Sequence, residues 1–255
     1  MIHIDLTRRR ALSTTVGITI AASAGAGPLL ASPAAAASQA TPEPLRDDEL
    51  KEALRRLKAR RRRIFTGRPS ANGWEMEREA DVGGSIRTCE IQGTPGPLTF
   101  AIRAGDVETV LVHVIRRFHY EIDSLGASDE PRPVEGWTAP SGVRDSRLPQ
   151  SNQASGTAVV IRPGSYPPGG RGAFTAAQEL VVRDILADAE GLVRWGGDDR
   201  LPYEGLFYLA VRPLDPRLAQ VAAKIRSWDE TPGAGAGVLV DAAQPSRRRR
   251  AARFR

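Results

Sequence analysis

The sequence predicts an α+β fold in which a small antiparallel sheet packs against helices. Strand-like segments occur as neighbours joined by turns, and segments with helical periodicity lie between them without a repeating strand-helix-strand order. No internal repeat is visible. A chain of 255 residues has room for one domain with appendages at its ends.

The first 37 residues read as an export signal. Arg8–Arg10 follow Thr7 and precede a weakly apolar run rich in Gly and Ala, and the Ala-rich sequence at Ala34–Ala37 suits cleavage. The paired arginines resemble a twin-arginine (Tat) signal, although Ala11 stands where Phe is more usual. A transmembrane anchor is the alternative, but the glycines and Pro28 lower the apolar content. We therefore expect a secreted, extracytoplasmic protein that is exported folded and has no stable transmembrane anchor.

Residues 38–64 are predicted to be a flexible spacer followed by a basic helix. Leu50, Leu54, Leu57 and Ile64 fall near one helical face, and the other faces carry many cations, including Arg60–Arg63. Two interpretations stay open. The helix is a solvated lead-in to the domain, or it contacts an anionic wall polymer or a membrane surface.

A hairpin and the main core helix come next. Residues 85–91 and 98–102 read as strands around a turn rich in Gly and Pro. Asp106 is predicted to cap a helix whose apolar residues recur to Leu125. At about 100° per residue, His113 points away from the apolar stripe of this helix and His119 lies at its edge. They are six residues apart, so they do not share a face as metal ligands at i and i+4 would. Cys89, in the first strand, is the only cysteine, and we expect it to be a buried structural thiol.

The second half of the domain alternates between strands and helices. Thr175 and Gln178 form a predicted capping box, and Asp215 with Pro216 marks the start of the last predicted helix. The predicted elements are a short strand at 136–138, a strand at 156–161, a helix from 175 to 191, strands at 192–195 and 206–211, and a helix from 215 to 228.

The C-terminal residues 231–255 have no core-forming pattern and are predicted to be a disordered, Gly/Ala- and Arg-rich tail. Residues 65–230 would then be the folded domain. The net charge of +6 is uneven along the chain, because Arg247–Arg250, Arg253 and Arg255 supply as much positive charge as the whole chain carries in excess. The body is slightly acidic and the tail is basic.

Two short blocks carry a family resemblance. The first is Ser151-Asn152-Gln153-Ala154-Ser155-Gly156-Thr157-Ala158-Val159-Val160, and the second runs from Val193 through Trp195-Gly196-Gly197-Asp198. Together, within the stretch from Phe118 to Val211, they resemble the zinc D-alanyl-D-alanine carboxypeptidases of the VanY type. In that family a Ser-x-His-x-x-Gly-x-Ala-x-Asp segment supplies two zinc ligands. A later Asp/Glu-x-x-His segment supplies the catalytic base and the third ligand.

The resemblance implies the family's fold with a degenerate site. Gln153 occupies the first histidine position, Val160 the aspartate position and Leu206 the second histidine position, while Tyr203 stands for the acid. Val and Leu cannot coordinate a metal. Zinc is the cofactor expected of the family, but its ligands are absent, so we expect neither a metal nor catalytic residues. Glu204, one position from the expected base, is a weak candidate for that role.

The resemblance implies that this protein is an exported, catalytically inactive relative of these carboxypeptidases and that it acts at the cell envelope. Its partner would be the D-Ala-D-Ala end of a peptidoglycan stem peptide or an anionic wall polymer. Arg144 would clamp the peptide carboxylate. The neutral hydrogen-bonding residues of the predicted ligand pocket are Ser151, Asn152, Gln153, Ser155 and Thr157.

Three alternatives stay open. In the first, the chain is an active cell-wall peptidase with an atypical site. In the second, it is an envelope protein that binds polyanions through Arg60–Arg63 and the C-terminal arginines. In the third, the first block is an ordinary turn entering a strand, in which Ser151 and Ser155 bond to the backbone. Nucleic acid is not an expected partner of an exported chain that lacks an aromatic and basic binding pattern.

Overall fold

A computed structural model describes residues 47–126, 130–238 and 240–254. The predicted signal peptide and spacer lie outside these residues. The helices are α1 (Asp47–Ile64), α2 (Asp106–Glu121), α3 (Ala176–Asp188), α4 (Pro216–Glu230) and α5 (Pro245–Ala251). The strands are β1 (Phe65–Pro69), β2 (Glu75–Glu77), β3 (Ile86–Ile91), β4 (Leu98–Arg103), β5 (Val134–Glu135), β6 (Ala158–Ile161), β7 (Val193–Trp195) and β8 (Leu206–Leu209).

The strands of the described segments form three antiparallel sheets, and the α+β class is confirmed. β1 pairs with β2, β3 pairs with β4, and the largest sheet has the order β5-β6-β8-β7. The β3-β4 hairpin was predicted, whereas β1 and β2 were not, because β1 contains Gly67 and Pro69 and β2 has only three residues, two of them acidic. The predicted strand at 136–138 is wrong by two residues, since β5 ends at Glu135.

α2 is the central core helix, as its apolar periodicity predicts. Phe118 on this helix is fully buried and meets the rings of Tyr166, Phe174 and Phe207 edge-on, with ring centroids 6.1–6.4 Å apart. Edge-to-face pairs of this kind are favourable beyond their buried area. The predicted cap at Asp106 is wrong, because Gly105 occupies the N-cap position and Asp106 is the first helical residue.

The later helix starts follow the sequence signals. Thr175 accepts a hydrogen bond from the backbone N–H of Gln178, and the Gln178 side chain completes the capping box. Asp215 caps α4 through the N–H of Arg217, with Pro216 at the first helical position. Each cap satisfies a backbone donor that the helix itself leaves without a partner.

The C-terminal segment differs from the predicted disordered tail, because α5 packs against α3. Arg247 and Arg250 lie one turn apart on α5 and reach Asp184 and Asp188, which lie one turn apart on α3. Arg247 Nε is 3.0 Å from Asp184 Oδ1, and Arg250 Nη2 bonds to Asp188 Oδ1. The apolar pattern could not reveal this contact, because Ala251 is the one buried residue of α5 and the side-chain bonds of α5 to α3 are ionic.

Arg117 on α2 also bonds to Asp184 and Asp188. It is 2% exposed, and its guanidinium donates to Glu121, Asp184 and Asp188 at 2.6, 2.9 and 2.7 Å. We call these residues the buried ionic cluster: Arg117, Glu121, Asp184, Asp188, Arg247 and Arg250. Its three guanidinium groups balance its three carboxylates, which is what burial of charged groups requires.

Removal of the two α5 arginines is expected to destabilise the fold. The double variant Arg247→Ala, Arg250→Ala leaves Asp184 and Asp188 with Arg117 as their main cation, so the free energy of unfolding should fall by about 3 kcal/mol. Urea unfolding followed by circular dichroism measures the change. The matched control is Arg248→Ala, Arg249→Ala on the same helix, which should change stability by less than about 0.5 kcal/mol. Equal effects of the two double variants would contradict the docking of α5 by charge.

Asp188 should make stability depend on pH in the acid range. Burial raises the pKa of Asp188, but a hydrogen bond from His113 and the charges of Arg117 and Arg250 outweigh it, so the pKa lies below its ordinary value. A carboxyl with a lowered folded-state pKa stabilises the fold above its unfolded pKa of about 3.9, and this stabilisation is lost as the pH falls below that value. The stability difference between the wild type and Asp188→Asn should therefore shrink from about pH 5 to about pH 3. A difference that grows on acidification would contradict the assignment.

Candidate functional site

Three of the four residues that the resemblance predicts at zinc and base positions lie together in the structure. Val160 on β6 and Leu206 on β8 are direct register partners, and both are fully buried. Tyr203 precedes Leu206 by one turn, closed by a 2.9 Å hydrogen bond from Leu206 N–H to Tyr203 O. With Ala158 and Tyr208 they form an apolar cluster separate from the main core, which we call the satellite cluster. Because side chains alternate along a strand, their neighbours on β6 and β8 face the main core instead.

Gln153, at the first histidine position, lies beside this cluster. It ends a 3₁₀ helix, Pro149–Gln153, and its Nε2 donates to Gly136 O at 3.1 Å. Gly136 follows Glu135, which is the register partner of Val160. The side-chain amide of Gln153 is therefore bonded to the residue that follows the β5 partner of Val160.

The satellite cluster does not fit a zinc ion. Val160 and Leu206 present hydrocarbon, and Gln153 uses its amide nitrogen in a backbone contact. Burial, reinforced by the charge of Glu135, raises the pKa of Tyr203 to about 12, so its phenol stays protonated near neutral pH. No group of three or more His, Cys, Asp or Glu side chains suited to a metal occurs within the described residues.

Glu204 is buried, but its contacts are those of a structural residue. Its two carboxylate oxygens accept the backbone N–H groups of Gly172 and Ala173 at 2.7 and 3.0 Å. Its backbone carbonyl accepts the indole N–H of Trp195 at 2.6 Å. These bonds account for its burial and hold the 172–173 loop against the strand end. They do not favour Glu204 as a general base.

The neutral residues predicted to line a ligand pocket form a buried hydrogen-bond network. Ser151 Oγ donates to Ser146 O and accepts from Ala71 N, and Ser155 Oγ donates to Asn152 O and lies 2.8 Å from Thr157 Oγ1. All of them are nine-tenths or more buried. Among their buried polar atoms, Asn152 Nδ2 lacks a partner in the described part of the chain. Their role as ligand contacts stays a prediction.

Two residues that sequence reasoning missed complete this network. Ser70 and Asn72 lie in the turn between β1 and β2. Ser70 Oγ donates to Ser155 Oγ at 2.8 Å, and Asn72 Nδ2 donates to both Thr157 Oγ1 and Leu209 O at 2.9 Å. The Ser-Ala-Asn sequence signals a turn, but nothing in it indicates partners more than 80 residues away.

Gly156 is required in this block by its backbone. Its φ is +68°, and a Cβ there would lie 2.8 Å from Arg103 N and 2.9 Å from Ile86 Cγ1. The close approach lets Arg103 N–H donate to Gly156 O at 3.0 Å. The motif glycine thus joins the 3₁₀ turn to the β3-β4 hairpin.

The remaining candidate residues lie apart from the satellite cluster. Arg144 is exposed and makes no hydrogen bond or ion pair with any described residue. His113 is buried, although helical periodicity predicted an outward position, because α4 and the C-terminal segment cover that side; its Nε2 is 3.4 Å from Asp188 Oδ2. His119 Nδ1 accepts the backbone N–H of Leu125 at 2.8 Å.

Cys89 is half-buried and packs against the main core. Burial, together with the charge of Glu108, raises the pKa of its thiol to about 12. The thiol is therefore protonated near neutral pH, which disfavours it as a nucleophile.

Comparisons with protein-family models, with curated proteins and with solved structures found no match to this chain. Among the described residues, no helix combines the length and apolar character that crossing a bilayer needs.

Asn72→Ala should destabilise the domain more than a surface substitution does. The variant leaves the buried Thr157 hydroxyl and Leu209 carbonyl without the amide that bonds both, and each such loss costs about 1–3 kcal/mol. We expect the free energy of unfolding to fall by about 2 kcal/mol or more, measured by urea titration. Arg144→Ala is the matched surface control, with an expected change within about 0.5 kcal/mol. Equal stability of the two variants would contradict the structural role of Asn72.

Proposed function

We propose that this protein is an exported, catalytically inactive relative of the zinc D-alanyl-D-alanine carboxypeptidases that acts at the cell envelope. One observation carries the proposal. Val160, at the end of the first motif block, and Tyr203 and Leu206, which follow the second block more than 40 residues later, lie in one buried cluster of five residues. A chance motif match would give no reason for these three positions to meet.

The inactivity follows from the chemistry of those side chains. Peptide hydrolysis in this family needs a Lewis acid and a base that deprotonates the metal-bound water. Val160 and Leu206 supply no donor, and the carboxylate of Glu204 is engaged by two backbone N–H groups. Apolar side chains fill the site without leaving an unpaired polar group in a buried volume, which would cost desolvation free energy.

Export and the ligand class are the parts of the proposal that rest on sequence. The Tat-type signal supports action outside the cytoplasm. A peptidoglycan stem peptide is the ligand that the resemblance implies, and the exposed Arg144 is the proposed partner of its terminal carboxylate. Apart from Asn152 Nδ2, the polar side chains of the five neutral pocket candidates are bonded within the protein, so they support peptide binding less.

The two other functions have less support, whereas the backbone bonds of Ser151 and Ser155 agree with the third alternative, an ordinary turn entering a strand. An active peptidase would need Glu204 as its base, against the contacts described above. If the protein bound polyanions through its C-terminal arginines, Arg247 and Arg250 would not be available, because both bond to buried carboxylates. The cations of α1 remain for that role.

Restoring the family's ligands should create a zinc site. The variant Val160→Asp, Leu206→His places two donors on adjacent strands, where opposed Cβ atoms are about 4.5–5.5 Å apart. Adding Gln153→His should tighten zinc binding about tenfold or more, because the third donor completes the protein part of a tetrahedral site. Zinc affinity is measured by competition with a chromogenic chelator, and folding is monitored by circular dichroism.

The matched control adds Gln150→His in place of Gln153→His to the same double variant. Gln150 lies on the same 3₁₀ helix, so composition and location change little. Equal zinc affinity of the two triple variants would contradict the alignment. If the buried aspartate prevents folding, Val160→His in its place keeps a neutral donor at that position and the same comparison applies.

A further inference from the structure

α1 carries an apolar stripe that no other described residue covers. Leu50, Leu54 and Leu57 are 46%, 45% and 61% exposed. Their spacing of four and three residues puts them within about 60° of one another around the helix. Of the 18 residues of α1, Ile64 alone is buried. Tertiary packing therefore does little to stabilise this helix, and a helix of this length is marginal by itself in water.

The stripe is flanked by an excess of positive charge. Between Lys51 and Arg63 the helix carries eight Lys or Arg residues and one acid, Glu52. Some of these cations have partners, such as Arg61 with Glu75 at 3.2 Å. Lys58 and Arg62 make no side-chain hydrogen bond or ion pair with any described residue, and both line a surface groove of about 340 Å³. The acidic residues of α1 lie mainly in its first turn.

Three kinds of partner could cover such a face, and its chemistry distinguishes them. A wall polymer would neutralise the cations but would leave the leucines in water. A second copy of the chain would cover the leucines but would bring two arrays of cations together. An anionic lipid surface accommodates both features, because leucines enter the acyl boundary while lysines and arginines stay among the headgroups.

We propose that α1 docks the protein on an anionic lipid bilayer, lying in the plane of its surface with Leu50, Leu54 and Leu57 toward the acyl chains. The inference goes beyond the proposed function and stands independently of the satellite cluster. The charge density of α1 excludes a spanning orientation, so the helix lies on the membrane. The domain that follows at Phe65 is then held close to the lipid surface.

Vesicle co-sedimentation of the full chain tests the proposal. Vesicles of phosphatidylglycerol and phosphatidylcholine should bind the wild type, and vesicles of phosphatidylcholine alone should bind it at least about tenfold more weakly. The variant Leu50→Gln, Leu54→Gln, Leu57→Gln should lose about tenfold or more in binding to the anionic vesicles. Gln keeps a high helix propensity, so the loss would not arise from a weaker helix.

A charge variant and its matched control complete the design. Lys58→Gln, Arg62→Gln should weaken binding to the anionic vesicles by about tenfold or more. Arg248→Gln, Arg249→Gln removes the same charge from α5 and should leave binding unchanged. Residues 1–46 are identical in every variant, so binding through them would leave the leucine variant unaffected.

Four outcomes would overturn the proposal. The first is unchanged vesicle binding by the leucine variant, and the second is equal binding to both vesicle types. The third is binding to soluble teichoic acid that is as strong as vesicle binding and does not change in the leucine variant. The fourth is a leucine-dependent dimer, seen in analytical ultracentrifugation, without vesicle binding. The third would assign α1 to a wall polymer, and the fourth to a second copy of the chain.

Discussion

The hydrogen bonds of Asn72 constrain the part of the fold that contains the candidate site. One amide nitrogen bonds Thr157 at the start of β6 and the carbonyl of Leu209 at the end of β8. Leu209 N–H donates in turn to Thr157 O at 2.9 Å. These contacts hold β6 and β8 in the register that opposes Val160 to Leu206. A one-residue slip of either strand would turn its side chain to the other face of the sheet, away from its partner, and break the satellite cluster.

Side chains can be held together by a metal or by apolar packing, and the satellite cluster is held by apolar packing. In a zinc site the free energy of coordination gathers the ligands. Here burial holds Val160, Leu206 and Tyr203 together, and each fully buried aliphatic side chain contributes about 1.5–3 kcal/mol. The hydroxyl and amide groups of the first block then act as internal partners of the β1-β2 turn. The block is a structural junction in which the neutral side chains bond to backbone groups and to the β1-β2 turn.

Local signals in the sequence predicted much of the fold. The apolar periodicity of α2, the capping box at Thr175 and the start of α4 at Asp215 depend on neighbours within a few residues, so the sequence displays their causes. α5 could not be predicted, because Arg247 finds Asp184 across 63 residues. The same holds for Asn72 and Thr157, which are 85 residues apart. Polar contacts between distant segments leave no periodic pattern.

Some features of the candidate site could likewise be predicted from the sequence, and others could not. The resemblance predicted that Val160, Tyr203 and Leu206 lie close together, as they do, and periodicity alone would not have related Val160 to Tyr203. The burial of Ser151, Ser155 and Thr157 was not predictable, since short polar side chains serve equally well as ligand contacts and as internal hydrogen-bonding groups. His113 shows the reverse case. Its outward position on α2 was correct for an isolated helix, but the packing of later segments buries it.

Metal content measured together with hydrolysis tests the central claim most directly. The full-length wild-type protein, purified after growth with added zinc, is analysed for metal, and the same sample is assayed for release of D-alanine from a peptide ending in D-Ala-D-Ala. The account predicts zinc far below one ion per chain and no release above the blank. Stoichiometric zinc with D-alanine release would contradict it.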